Sequence, residues 1–219
     1  GGDFYDLIPM SDQIVGIAIA DASGHGLPAA LQVRDVYTGL RMGVARDFKI
    51  VRTVERLNRI IHESRLTSKF VSLFYGELEA SGNFIYVNAG HNPPIVARER
   101  ESILLRQTGM VLGPSRDAAY SRGFVTLDVG DVLVLYTDGI VEATDARDQE
   151  FGIDRLKRVI AQNRDRTADE IVNAILQGVA AFTRGAVPQD DRTLLVIRRG
   201  TVPASEKRLS AEVAIPAQG

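Results

Sequence analysis

Five aspartates, Asp3, Asp21, Asp138, Asp190 and Asp191, stand where a chain can build an oxygen-rich metal site. Asp3 follows Gly1-Gly2. Asp21 closes the apolar stretch 13–21 (QIVGIAIAD) and opens Asp21-Ala22-Ser23-Gly24-His25-Gly26. Asp138 closes a second apolar stretch before Gly139, and Asp190 and Asp191 lie just before a third, TLLVIR at 193–198. A carboxylate at the end of an apolar strand, beside glycine, is held rigidly yet reaches the edge of the core. Several such ends brought together would make a cage of hard oxygens suited to Mg²⁺ or Mn²⁺. Without a cation the crowded carboxylates would repel one another and their pKa values would rise. Taken singly, each aspartate reads more readily as a turn residue; taken together on strand ends they point to metal chemistry.

The histidines add less. His25 sits in the glycine-rich loop, where it either stabilises the loop or acts through water as a proton donor. His91, in Ala89-Gly90-His91-Asn92-Pro93-Pro94, follows a strand and precedes a proline-stiffened turn. It and Asn92 read as substrate-positioning groups, or His91 as a side chain bonding the loop. His62 falls on the surface of an expected helix. Three histidines with no ligand pair leave no histidine-rich metal site. The absence of cysteine excludes disulfides, thiolate zinc sites and every cysteine nucleophile. No GxxxxGK[ST] loop exists, which excludes P-loop chemistry. Gly1-Gly2-Asp3 is similar to a nucleotide-cyclase hairpin, but Phe4 and Tyr5 replace its acidic continuation and no elements precede it.

The elements that must position these residues follow from periodicity. The 219 residues, 45% hydrophobic and 25% charged, suffice for one sizeable domain with a real core. A net charge of −2 without a basic stripe excludes nucleic acid as the main partner. No apolar run reaches the ~18 residues of a membrane span, so no direct membrane contact and a cytoplasmic location are expected. The opening Gly1-Gly2-Asp3-Phe4-Tyr5-Asp6 has no initiator Met, which suggests an excised piece with a sensor or regulatory region upstream.

A buried strand is expected over 13–21, then a helix from Pro28 toward Arg46 and a second carrying Val54, Leu57 and Ile61 on one face. Strands follow at 70–79 and 83–89 around the hairpin signal Ala80-Ser81-Gly82, and at 94–97, 103–105, 123–127 and 131–138, with 109–122 as a surface loop. Ile153, Leu156 and Ile160 mark a helix. Thr167 and Glu170 form a capping box ahead of Ile171, Ile175 and Val179. A final strand covers 193–198, and residues 200–219 read as a flexible C-terminal tail. Helices, then antiparallel strands, then helices imply an α+β layered domain.

In this order the motifs Gly-Gly-Asp-Phe-Tyr-Asp (1–6), Asp-Ala-Ser-Gly-His-Gly (21–26), Ala-Gly-His-Asn-Pro-Pro (89–94), Leu112-Gly113, Gly130-Asp131, Tyr136-Thr137-Asp138-Gly139, Phe151-Gly152 and Asp190-Asp191-Arg192-Thr193 resemble the SpoIIE/RsbU-type phosphatases. These are the bacterial branch of the metal-dependent (PPM, type 2C) serine/threonine phosphatases. The resemblance implies an αββα four-layer sandwich over 1–199, with two central antiparallel sheets flanked by helices. It also implies two Mn²⁺ or Mg²⁺ ions held by Asp3, Asp21, the Ala22 carbonyl, Asp138 and Asp190. Asp191 is a further candidate ligand beside Asp190, at a position where type 2C enzymes have a neighbouring Asn, and which of the two ligates stays open. Two metals ~3.5–4 Å apart would activate a water for in-line attack on the phosphoryl group. The implied substrate is a phosphoserine or phosphothreonine on a bacterial regulator, such as a STAS-type anti-sigma-factor antagonist. Type 2C enzymes carry a His at the position of Ser23; here His25 stands two residues later. The rival reading is an inactive phosphatase-like module that binds partners. Oligomeric state stays open, a homodimer included.

Overall fold

In this computed structural model the described residues are 2–24, 26–45, 49–64, 70–106, 108–184, 186, 190–200 and 211–214. The described residues divide into two compact units, the first made of residues up to Pro93 with Arg106–Thr126, the second of Pro94–Leu105 with residues 127–200 and 211–214.

The first unit starts with a hairpin, β1 (Asp3–Ser11) and β2 (Ile14–Ala22), turned over Asp12-Gln13. With β3 (Val71–Glu79), β4 (Asn83–Ala89) and β7 (Gly123–Thr126) it forms an antiparallel sheet of order β1-β2-β3-β4-β7. β1 was not anticipated from the sequence. It is an edge strand that carries Pro9 and has a register shift between Pro9 and Ser11, features an edge tolerates and a central strand does not.

Two helices, α1 (Leu27–Ala45) and α2 (Ile50–Glu63), cover this sheet. Val36 and Leu40 of α1 and Val54, Leu57 and Ile61 of α2 pack with Ala18, Ala20, Leu73, Tyr75 and Val87 in one buried cluster. Burying such side chains is worth ~1.5–3 kcal/mol each, so the expected apolar stripes carry the packing. The helices approach closely because α1 presents glycines to α2. A Cβ on Gly39 would stand 2.7 Å from Leu57 Cδ1, and one on Gly43 2.5 Å from Thr53 Cγ2. The segment 109–122 is not purely a surface loop. Leu112 (0% exposed) and Tyr120 (8%) belong to the core cluster, and Leu112 exchanges both backbone bonds with Val71. Two anchors among polar residues leave no period to read.

The second unit repeats the scheme. Its sheet has the order β10-β9-β8-β5-β6, with β5 (Ile95–Ala97), β6 (Ser102–Leu104), β8 (Val132–Tyr136), β9 (Leu194–Arg199) and β10 (Ala211–Ala214). β10 lies inside the stretch 200–219, where the sequence suggested only a tail; the rest of that stretch, beyond Gly200, lies outside the described residues. After β8 comes the short α3 (Asp138–Val141), then α4 (Gly152–Asn163) and α5 (Ala168–Thr183). Leu156, Ile160, Ile171, Ile175 and Val179 pack on Ile95, Val132, Val134, Leu194 and Val196. The capping box forms as expected: Thr167 accepts from the Glu170 N–H and Glu170 from the Thr167 N–H. No helix of the described residues is long and apolar enough to cross a membrane. The expected fold class, α+β with two antiparallel sheets and their helices, is the one found.

Candidate functional site

Asp3 and Asp21 are Cα partners across β1 and β2, and Asp21 is in turn the partner of Ser72 on β3. Residues directly opposite on antiparallel strands project from the same face, so Asp3, Asp21 and Ser72 form a row at one end of the first sheet. Next to the row, the Ala22 N–H donates to the Gly2 carbonyl (3.0 Å). A Cβ on Gly2 would lie 2.5 Å from the Ala22 carbonyl oxygen and 3.2 Å from Asp21 Oδ1. Glycine is required there by close approach, and the group approached is the carbonyl expected to ligate metal.

The loop after Ala22 is held by Ser23, whose N–H donates to the Phe70 carbonyl and whose Oγ accepts from the Phe70 N–H, both at 3.0 Å. Gly24 (φ 94°) and Gly26 (φ 77°) then turn the chain into α1. His25 lies outside the described residues. His91 is buried, 5% exposed. Its N–H donates to Asn88 Oδ1 (2.8 Å) and its Nδ1 meets Ser72 Oγ at 2.8 Å. Asn92, beside it, is half-buried.

In the second unit, Thr137 N–H donates to the Thr193 carbonyl and Thr137 Oγ1 accepts from the Thr193 N–H, each at 3.0 Å. These bonds lay the Asp190–Thr193 segment along the β8–α3 junction. Asp138 is the first residue of α3, not the last of a strand; Tyr136 ends β8, and Thr137 supplies the extended residue ahead of the helix. Gly139 has no room for a Cβ against the Asp191 carbonyl, and Arg192 Nε donates to the Gly139 carbonyl (3.2 Å).

Burial raises the Asp138 pKa, and the neighbouring Asp190 carboxylate raises it further. Asp190 Oδ1 also accepts from the Asp191 N–H (2.8 Å). Asp190 lines a cavity of about 250 Å³ together with Gly139, Glu142, Thr144 and Arg192. Glu142 is a residue that the motifs did not single out. Its pKa is raised by burial and then by Asp138, Glu150 and Asp190. The available signal was its place four residues after Asp138, on the same side of a helical turn.

Each unit therefore supplies a pair of carboxylates at an element end, Asp3 with Asp21 and Asp138 with Asp190. Among the described residues no group of three or more acidic or histidine side chains stands assembled to hold a metal ion. The donor chemistry nonetheless fits a hard divalent cation. Every candidate ligand is an oxygen, and Asp138 carries the like-charge strain with Asp190 that a bound cation would relieve.

The profile of the family Stage II sporulation protein E (SpoIIE) matches residues 11–200. The phosphoserine phosphatase RsbU of Bacillus subtilis (strain 168) is 29% identical over 203 residues, which cover 90% of this chain and 59% of RsbU. The chain thus spans less than two thirds of that relative's length. Among solved structures, the SiaA-PP2C domain of Pseudomonas aeruginosa matches with a TM-score of 0.81 at 18% identity, covering 90% of this chain and 80% of that one. RsbX in complex with magnesium matches with a TM-score of 0.66 at 17% identity, covering 89% and 85%. At these identities the two structures establish the fold. With the motifs in order and the profile matched from residue 11 to residue 200, the chain belongs to the SpoIIE family and has the PP2C fold.

Proposed function

We propose that this chain is a metal-dependent protein serine/threonine phosphatase. The observation that carries the reading is the cross-strand pairing of Asp3 with Asp21 beside the Ala22 carbonyl, which Gly2 approaches more closely than any side chain would allow. Asp3, Asp21 and the Ala22 carbonyl are the proposed ligands within the first unit, and Asp138 and Asp190 those within the second. Mn²⁺ or Mg²⁺ held by these oxygens would supply a water of lowered pKa and would compensate charge on the phosphoryl oxygens. Asp190 is assigned the ligand role ahead of Asp191 because it lines the cavity with Gly139 and Glu142. The magnesium complex of RsbX supports the choice of cation class.

The chain's residues hold their groups still so that no reorganisation is needed at the moment of reaction. Gly2 fixes the Ala22 carbonyl, Ser23 anchors the loop to Phe70, and Thr137 binds the two halves of the second carboxylate pair. The similarity to the phosphoserine phosphatase RsbU favours phosphoserine as the substrate, and the motif resemblance implies a regulatory protein such as an anti-sigma-factor antagonist of the STAS type as its carrier. Turnover of an aryl phosphate with Mn²⁺, lost on chelation and restored by added metal, is expected. Binding of a phosphorylated regulator without any turnover would instead identify a partner-binding module.

A further inference from the structure

We propose that His91 is a positioning residue for Asp21, acting through Ser72. The inference rests on the reading of Asp21 as a metal ligand and assigns His91 a role other than contact with substrate. Ser72 stands opposite Asp21 in the β2–β3 register, in the row that begins with Asp3. Its Oγ lies 2.8 Å from His91 Nδ1 and 3.5 Å from the Asp21 backbone oxygen.

A serine hydroxyl has one proton, so both contacts are satisfied in one arrangement only. The Nδ1–H of His91 donates to Ser72 Oγ, and the hydroxyl proton, thereby oriented, points to the Asp21 carbonyl. Were Nδ1 unprotonated, the hydroxyl would turn toward the ring and the Asp21 contact would be lost. The 2.8 Å bond holds Ser72 Oγ in place, and the longer 3.5 Å contact, weaker than an ordinary hydroxyl bond, carries its orientation to the Asp21 carbonyl just where Ala22 follows.

His91 is itself held so that it can do this. Its N–H donates to Asn88 Oδ1, Asn88 is fully buried, and the Asn88 N–H donates to Thr108 Oγ1 (2.8 Å). Gly90 adopts φ 70° to turn the chain at this point, with Val111 packed against it. A buried imidazole that merely filled space would be replaced at little loss by an apolar side chain; one engaged with a hydroxyl on the neighbouring strand orients it. Groups that orient ligands from behind typically change metal affinity ~10–100-fold when removed.

The test is equilibrium Mn²⁺ binding by calorimetry on the whole chain. Wild type is compared with Ser72→Ala, Ser72→Thr, His91→Ala and the Ser72→Ala/His91→Ala double variant; Asp21→Asn serves as control. Circular dichroism and metal-free Tm report folding. Ser72→Ala and His91→Ala should each weaken Mn²⁺ binding ~10-fold or more. The double variant should be no weaker than either single one, because they break the same chain. Ser72→Thr keeps the hydroxyl and should bind as wild type, and kcat at saturating Mn²⁺ should fall less than affinity. Should His91→Ala not fold, Ser72→Ala decides alone. Wild-type affinity in Ser72→Ala, multiplied losses in the double variant, or a loss in Ser72→Thr equal to that in Ser72→Ala would each overturn the proposal. If wild type binds no Mn²⁺, or Asp21→Asn binds it as well as wild type, the metal reading of Asp21 fails first and takes this inference with it.

Discussion

Replacing Gly2 by alanine adds a single methyl group at the place where the structure has least room beside the candidate ligands. The added Cβ would meet the Ala22 carbonyl oxygen at 2.5 Å, Asp21 Oδ1 at 3.2 Å and the Ala22 carbonyl carbon at 3.4 Å. Ordinary van der Waals contact begins at 3.4 Å, so full relief needs a displacement of 0.9 Å (3.4 minus 2.5), and even a tight 3.0 Å contact needs 0.5 Å. The neighbour that must give way is backbone, and it carries the carbonyl proposed as a ligand. A misplacement of this size costs ~10²-fold in rate where geometry decides the reaction. Overpacking costs ~1–3 kcal/mol in general, and the lower end is expected because β1 is an edge strand that can shift outward. The measurement is kcat/KM on an aryl phosphate across an Mn²⁺ titration, alongside Tm. Gly178→Ala in α5, whose Cβ would find Val159 Cγ2 at 3.3 Å, is the control and should leave activity unchanged. Gly2→Ala with kcat/KM and Mn²⁺ dependence within about threefold of wild type would refute the reasoning, since the claimed displacement would then have no consequence.

Two further outcomes concern the scaffold. Asn58, fully buried on α2, donates to the Ser115 and Arg116 carbonyls and accepts from the Gly113 N–H; Asn58→Ala should cost ~2–4 kcal/mol in a urea titration. Burial pushes Tyr136 up to about 12, and burial with the Glu55 charge pushes Tyr120 up to about 12. Burial raises Tyr75 as well. An acid whose folded pKa is raised contributes stability that is complete below the unfolded value, ~10 for tyrosine, and is lost as pH rises through the folded value. Stability followed by circular dichroism should therefore fall between about pH 10 and 12, and Tyr136→Phe should shallow that fall.

Much of this was legible in the sequence where a period or a motif repeats. The helix faces of α2, α4 and α5 and the capping box at Thr167 could be read because 3.6-residue spacing and the Thr-x-x-Glu pattern are local. β1 could not: Asp6 and Pro9 break its alternation, and an edge strand lacks the continuous apolar run that marks β2. Burial on both faces, with Ile17, Ala18, Ile19 and Ala20 all at 0% exposure, is what makes β2 so plain. Asp3 and Asp138 announced themselves by standing beside glycines, and those glycines prove to be there for close approach at Gly2 and Gly139. Glu142 and Ser72 left no such mark. Glu142 matters only through a helical turn, and Ser72 only through strand register, and neither relation is a motif.

The central claim is that Asp21 and Asp138 hold divalent cations for attack on a phosphoryl group. It is tested most directly by phosphate release from a phosphoserine-bearing regulator, measured with Mn²⁺ and with chelator, for wild type, Asp21→Asn and Asp138→Asn. Each substitution keeps the side chain's shape and removes its charge. Release should require Mn²⁺, and both variants should lose at least ~10³-fold at wild-type metal concentrations while remaining folded. Release that survives the chelator, or a variant with either aspartate replaced that works as fast as wild type, would contradict the claim.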